Sequence, residues 1–185
     1  MKIAFTCNSN NFISQAIQFV TKDKSEVFPV ASHCLPILGE LYGLELGLSA
    51  DELLISIVDV NRYRNDPDSI LRIYEIPDAI LPEVWIRKVV TENNQKVYPH
   101  AELFWFIYEW AKNQVFPDDP NDKNWLDYSV FCSELTVKAL QAGGYSGWFK
   151  GFDPNSITPA ELEGLVIKIP HCILIEEKNP LEMKV

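Results

Sequence analysis

The stretch Asp127-Tyr128-Ser129-Val130-Phe131-Cys132-Ser133-Glu134-Leu135, continued to Gly143-Gly144, constrains this chain more than any other. It reads as one helix with both ends marked. Asp127 or Ser129 can serve as the N-cap, accepting amide hydrogens that the first turn leaves unpaired. Gly143 is placed to turn left-handed and end the helix. Phe131, Leu135, Ala139 and Ala142 recur at helical spacing and make an apolar stripe that needs a surface to pack on. Glu134 stands four residues ahead of Lys138, the favourable order for a surface ion pair. Cys132 falls in the first turn, where unpaired amides and the helix dipole favour an anion and depress a thiol's pKa. The position suits a nucleophile. It also suits a small buried apolar residue, which is what most free cysteines are.

The packing surface is predicted from the first half of the chain. Residues 2–6 form a short strand, and a polar turn over 8–11 leads into a helix over 12–20 with Phe12, Ala16, Phe19 and Val20 on its core face. Phe28 to Leu38 is a strand entered from a loop, with His33 near its start, and 39–43 is a turn. Two further strands, 44–48 and 53–58, flank a turn over 49–52. The alternation of Leu44, Leu46 and Leu48 puts Glu45 on the opposite face from the leucines. A polar connection over 61–68 precedes an alternating strand at 71–76. Residues 78–87 form a short helix interrupted by Pro82, 92–96 is a loop, and 101–111 is aromatic-rich and helix-compatible. That aromatic stripe is core, or else a ligand groove or partner surface. The loop over 116–122 is acidic and proline-broken, and it lacks the ligand alternation of a calcium-binding hand. After the Cys132 helix, Thr158 caps a short helix with Pro159 at its first position and Glu161 completing a capping box. Residues 165–169 and 172–175 read as closing strands. The expected class is α+β, a run of short strands between helices, in one domain spanning 1–185.

Composition narrows the functions. A hydrophobic content of 47% with 23% charged residues is that of a chain able to bury a core. The net charge of -10 argues against nucleic acid as a partner, and against docking to an anionic membrane surface. No apolar run approaches the roughly 18 residues of a membrane span, and the N-terminus turns polar too early for a signal peptide. A cytoplasmic protein is expected, with Cys7, Cys34, Cys132 and Cys172 as free thiols.

A thiol nucleophile needs a base, and the base needs an orienting group. Of His33, His100 and His171, His33 is best placed, because a strand start faces a cleft more often than a mid-strand position does. His100 reads as a surface residue and His171 as part of a strand edge. Glu45, on the polar face of the next strand, can hold the imidazole. His33-Cys34 and His171-Cys172 supply two zinc-type ligand pairs, but neighbours on a strand point to opposite faces. No metal or cofactor is expected.

Ser32-His33 opening a strand, followed about a hundred residues later by Phe131-Cys132-Ser133-Glu134-Leu135, resembles the circularly permuted papain-like hydrolases. These are the YiiX-like branch of the NlpC-type peptidases, related to lecithin:retinol acyltransferase, in which the histidine strand precedes the cysteine helix. The likeness takes in residues 13–20, Glu45 and Ile157-Thr158-Pro159-Ala160-Glu161-Leu162, and leaves out 78–125 as an insertion. The chain departs from the family in having Cys34 and Pro36 after the histidine. A proline there predicts an edge strand or a bulge. The resemblance implies a papain-like fold, with a short antiparallel sheet or partial barrel packed against helices and the nucleophile at a helix N-terminus. It implies Cys132 as nucleophile, His33 as general base and Glu45 as the orienting residue. Tyr128 and Ser133 fall at oxyanion or substrate-binding positions. The implied substrate is a peptide-like amide such as a cell-wall peptide or an isopeptide. A thioesterase or acyltransferase on a lipid acyl group, or an inactive binding protein of the same fold, are the alternatives.

Overall fold

Ile3, Phe5 and Cys7 on one face of β1 (Lys2–Asn8) and Ala4 and Thr6 on the other are all buried, so this strand is covered on both faces. The computed structural model describes residues 1–22, 27–51, 54–93, 132–152, 154 and 157–180, and in it β1 lies inside a six-stranded sheet. Its neighbours are β2 (His33–Leu41) and β5 (Ser69–Glu75). Beyond β2 come β3 (Leu44–Asp51) and the edge strand β4 (Leu54–Asp59), and beyond β5 the other edge strand, β6 (Ile173–Lys178). All neighbouring pairs are antiparallel. The protein is therefore α+β, as its sequence implies.

The sheet separates two apolar clusters. Ile3, Phe5, Cys34, Leu48, Ala50 and Tyr74 meet α4 (Cys132–Leu140) and α5 (Pro159–Val166) through Leu135, Val137, Leu140, Leu162 and Val166. Ala4, Leu35, Ile37, Val58, Leu71 and Ile73 pack on the other side with Val60 and with Tyr63 of the short helix α2 (Asn61–Asn65). α2 lies inside what reads in sequence as a plain polar connection. Gly47 faces Ile37 across β2 and β3 at a close approach. A Cβ there would lie 2.4 Å from Leu35 Cδ1, so the buried leucine leaves room only for glycine.

Several local expectations are corrected. Pro36 is not on an edge, since β2 is paired on both sides, but a bulge does fall between Ile37 and Gly39. Residues 49–51 are the end of β3 rather than a turn, and this places Ser49 in the sheet. In α1 (Phe12–Thr21) Ser14, Ile17 and Thr21 are buried among the side chains described, while Phe12 and Phe19 are 72% and 59% exposed. The cause is Ser14. Its hydroxyl accepts from the Asn8 amide at 2.9 Å and lies 2.6 Å from the Ser32 hydroxyl, which turns that side of the helix inward. The next helix, α3 (Glu83–Asn93), begins just after Pro82 and runs through part of the expected 92–96 loop. Residues 165–169 do not form a strand: α5 runs through Val166 and a turn follows. The expected capping box is present, with Thr158 Oγ1 accepting from the Glu161 amide at 3.2 Å and Glu161 Oε2 accepting from the Thr158 amide at 2.9 Å.

Among the described residues, Arg72 and Glu163 form an ion pair buried at both ends. On β5, Arg72 Nε donates to Glu163 Oε1 at 2.6 Å, and Arg72 Nη2 donates to Glu163 Oε2 at 2.8 Å and to the Pro29 carbonyl at 2.7 Å. Tyr74 Oη donates to the same carboxylate at 3.0 Å. The pair ties α5 to the sheet from side chains 3% and 0% exposed.

Candidate active site

β2 is fastened just before its first residue. The Ser32 amide donates to the Thr6 carbonyl at 3.0 Å and the Ser32 hydroxyl is held by Ser14, so the chain entering the strand has little freedom. His33 follows at once, half-buried, with Nε2 2.9 Å from Ser49 Oγ on β3. The Tyr63 ring lies alongside, its centroid 6.2 Å from the imidazole centroid.

Cys132 is the first residue of α4, at the helix end where a thiolate is favoured. The groups that act on its thiol are the Cys34 thiol, the Cys34 amide and the His33 side chain. The Cys34 thiol, donating to that sulfur, lowers the Cys132 pKa most. Burial opposes it, and the charge and hydrogen bond of His33 lower it further, so the thiol ends well below the ordinary range. Cys34 moves the opposite way: burial and its neighbour's negative charge push it well up. His33 acts on Cys132 and not on Cys34, which favours Cys132 as the more acidic thiol of the pair. Burial also raises Cys7, to about 11. Of the four thiols, Cys132 is the one whose surroundings favour the anion.

Of the residues singled out in the sequence, the structure brings Cys132 and His33 together. Glu45 lies elsewhere. It shares a face of β3 with Ser49, as the alternation requires, but stands four residues away, about 13 Å along a strand. Its carboxylate receives Lys2 Nζ at 2.9 Å and Arg64 Nη2 at 2.5 Å. Burial alone would raise its pKa, and these two cations outweigh that and hold it below the usual range. Arg64 also grips Glu176 on β6 through two bonds of 2.6 Å, so Glu45 belongs to a structural network joining distant strands. Ser49 occupies the position that the sequence reading gave to Glu45. A buried serine on a strand taken for a turn carried no sequence signal.

Ser133 is buried on α4, 3% exposed. Tyr128, Phe131, His100, the 116–122 loop and the aromatic 103–110 segment lie outside the described residues, as do most of residues 78–125, expected as an insertion. Cys34 and His33 both approach one sulfur although strand neighbours alternate in direction, because His33 is the terminal residue of its strand. α4 is more buried than an amphipathic helix would be, with Lys138 alone exposed along it. The ion pair of Glu134 with Lys138 forms, but its glutamate end is buried. The left-handed stop falls one residue later than expected, at Gly144 (φ 108°), within a π-turn over Gln141–Tyr145. His171 is exposed in the turn before β6.

Among the described residues no cluster of three or more His, Cys, Asp or Glu side chains is arranged to hold a metal ion, and no helix is long and apolar enough to cross a membrane. No family model matches the chain, and no curated protein or solved structure matches it either.

Proposed function

We propose that this protein is a cysteine hydrolase of peptide-like amides, built as a permuted papain-like domain. The observation that carries the reading is the interaction of His33, first residue of its strand, with Cys132 of α4, which favours the thiolate. A thiol held as an anion beside an imidazole is the pair that acyl transfer by a cysteine requires. The order of the two elements, histidine strand before cysteine helix, agrees with the permuted arrangement.

In this reading the Cys132 thiolate attacks the scissile carbonyl carbon. The oxyanion is taken by the Cys132 amide, with Tyr128 as second donor and Ser133 beside it, roles carried over from the resemblance. His33, engaged through Nε2 with Ser49, turns Nδ1 to the sulfur and protonates the departing amine. Ser49 thus takes the orienting part first assigned to Glu45. His33 then draws a proton from the water that clears the acyl-enzyme, and the thiolate is regenerated.

The test is hydrolysis of a panel of muropeptides and isopeptide-linked peptides by the wild type, Cys132→Ala and His33→Ala. Cleavage of at least one amide that both substitutions abolish is expected. Amide cleavage that survives Cys132→Ala overturns the assignment.

A further inference from the structure

In the proposed hydrolysis Ser49 alone orients His33, and one hydrogen bond fixes a distance while leaving the ring able to turn about it. β2 begins at His33, so no residue of the strand stands two places before it on the same face. A catalytic side chain needs a tighter hold, supplied by neighbours that are themselves locked in place. Tyr63 is placed to supply it. Leu35 and Ile37, two and four residues beyond His33, belong to the apolar cluster against which Tyr63 packs. A Cβ at Gly47 would meet Leu35 and Val60 of that cluster, so Ser49, two residues further along β3, lies on the same face. The half-buried Tyr63 ring has its centroid 6.2 Å from the imidazole centroid and its plane tilted 37° from it, within the range of a stabilising aromatic pair.

Tyr63 is held in its turn. Its amide donates to the Val60 carbonyl at 3.0 Å, and its carbonyl accepts from Lys178 Nζ of β6 at 3.2 Å. Its hydroxyl accepts from Arg62 Nη2 at 2.6 Å, and the carbon of that guanidinium stands 4.6 Å over the ring. Arg64, the next residue, reaches Glu176 of β6 through two bonds of 2.6 Å. A five-residue helix has little stability of its own, and these bonds to the sheet stand in for it. We propose that Tyr63 is a positioning residue for the reaction of Cys132 and His33: its ring, clamped by α2, fixes the plane of the imidazole whose Nε2 is engaged with Ser49. The reaction it serves rests on the hydrolase reading; the grip on the ring does not. With both contacts made, Ser49 holds one edge of the imidazole, and the other edge, carrying Nδ1, keeps one direction. Without the aromatic ring the imidazole turns about the Ser49 bond, and a smaller fraction of bound substrate has a proton donor aimed at its leaving nitrogen. Tyr63 acts through His33 and not on the substrate, so the loss falls on kcat and leaves KM in place.

The experiment compares the wild-type chain with Tyr63→Leu and Tyr63→Phe. Steady-state kinetics on the amide that the wild type cleaves best gives kcat and KM. Relaxation of the His33 δ2 carbon, in protein carrying 13C-labelled histidine and assigned by its loss in His33→Ala, reads the mobility of the ring with no substrate present. In Tyr63→Leu, kcat is expected to fall about 10-fold with KM within about twofold, and the order parameter of the δ2 C–H bond to drop. Tyr63→Phe keeps the ring and loses the bond from Arg62, and it should bring kcat back to within about threefold of wild type and the ring order with it. Tyr63→Met, similar in length, serves if the leucine variant does not fold. The proposal is overturned if removing the aromatic ring leaves kcat and ring order at wild-type values, if the whole loss appears in KM, or if phenylalanine does as much damage as leucine. The relaxation measurement needs no turnover. A protein that cleaves no amide, but whose His33 ring loosens in Tyr63→Leu, therefore refutes the hydrolase reading alone. One that cleaves amides with the ring equally ordered in all variants refutes this inference alone.

Discussion

Replacing Glu163 with glutamine tests the energetics of the site's foundation, because Arg72 and Glu163 join the sheet to the helix packed beside α4. The substitution keeps the shape of the side chain and removes its charge. Two charge-assisted bonds of 2.6 and 2.8 Å are lost or weakened, and an amide nitrogen is brought against guanidinium donors. The stranded arginine is 2% exposed, and its Nη1 already lacks a hydrogen-bond partner among the described residues. A buried cation left unpaired costs about 3–5 kcal/mol. That is a large fraction of the roughly 5–15 kcal/mol by which a domain is stable. With a urea m-value of about 2 kcal/mol/M, the midpoint of unfolding should fall by about 1.5–2.5 M. Equilibrium urea denaturation followed by tryptophan fluorescence and far-UV circular dichroism measures it. The double variant Arg72→Met with Glu163→Leu removes both charges and should lie within about 1 kcal/mol of wild type, because no ion then remains to be solvated by the interior. A Glu163→Gln variant that loses less than about 1 kcal/mol would refute the view that this pair is dry and mutually dependent.

Four further outcomes are expected. Iodoacetamide should label Cys132 at a pH below the ordinary thiol range, since its lowered pKa keeps the thiolate populated as pH falls, whereas Cys7, raised to about 11, should stay protonated and unlabelled at pH 8; peptide mapping across pH 4–10 reads both, and a Cys132 midpoint near 8.5 contradicts the site. Ser49→Ala should lower kcat/KM by about 3–10-fold, the worth of one hydrogen bond of 0.5–1.5 kcal/mol, and should shift the pH–rate profile, while Glu45→Gln should leave that profile in place; the reverse ranking would restore Glu45 as the orienting group. Leu135→Ala, in a residue 1% exposed between α4 and the sheet, should cost about 2–5 kcal/mol by thermal or urea unfolding. Gly47→Ala should cost about 1–3 kcal/mol as Leu35 is displaced, and a neutral result would mean that Leu35 has room to swing aside.

Legibility in the sequence followed the range of the interactions concerned. The capping box at Thr158 and Glu161 is made of residues three apart, and the structure reproduces it. The faces of α1 were misread for the opposite reason: Phe12 and Phe19 fit the helical period, but a hydroxyl contact to Ser32, distant in sequence, set the rotation of the helix. Arg72 reads as the polar member of a half-buried alternating strand. It is buried because α5, about ninety residues further on, covers that face and supplies a carboxylate.

The same division runs through the candidate site. The sequence by itself determined an α+β chain, a helix carrying Cys132 near its start, a strand opened by His33, and the face of β3 on which Glu45 lies, because 3.6- and 2-residue periods are local properties of the backbone. Which residue on that face meets the imidazole depends on strand length, on the bulge between Ile37 and Gly39 and on the pairing of β2 with β3, and only the tertiary structure decided for Ser49 over Glu45. It also decided that Cys34 and Cys132 lie in one buried cluster. The two are almost a hundred residues apart, and packing α4 across the start of β2 is what makes them neighbours.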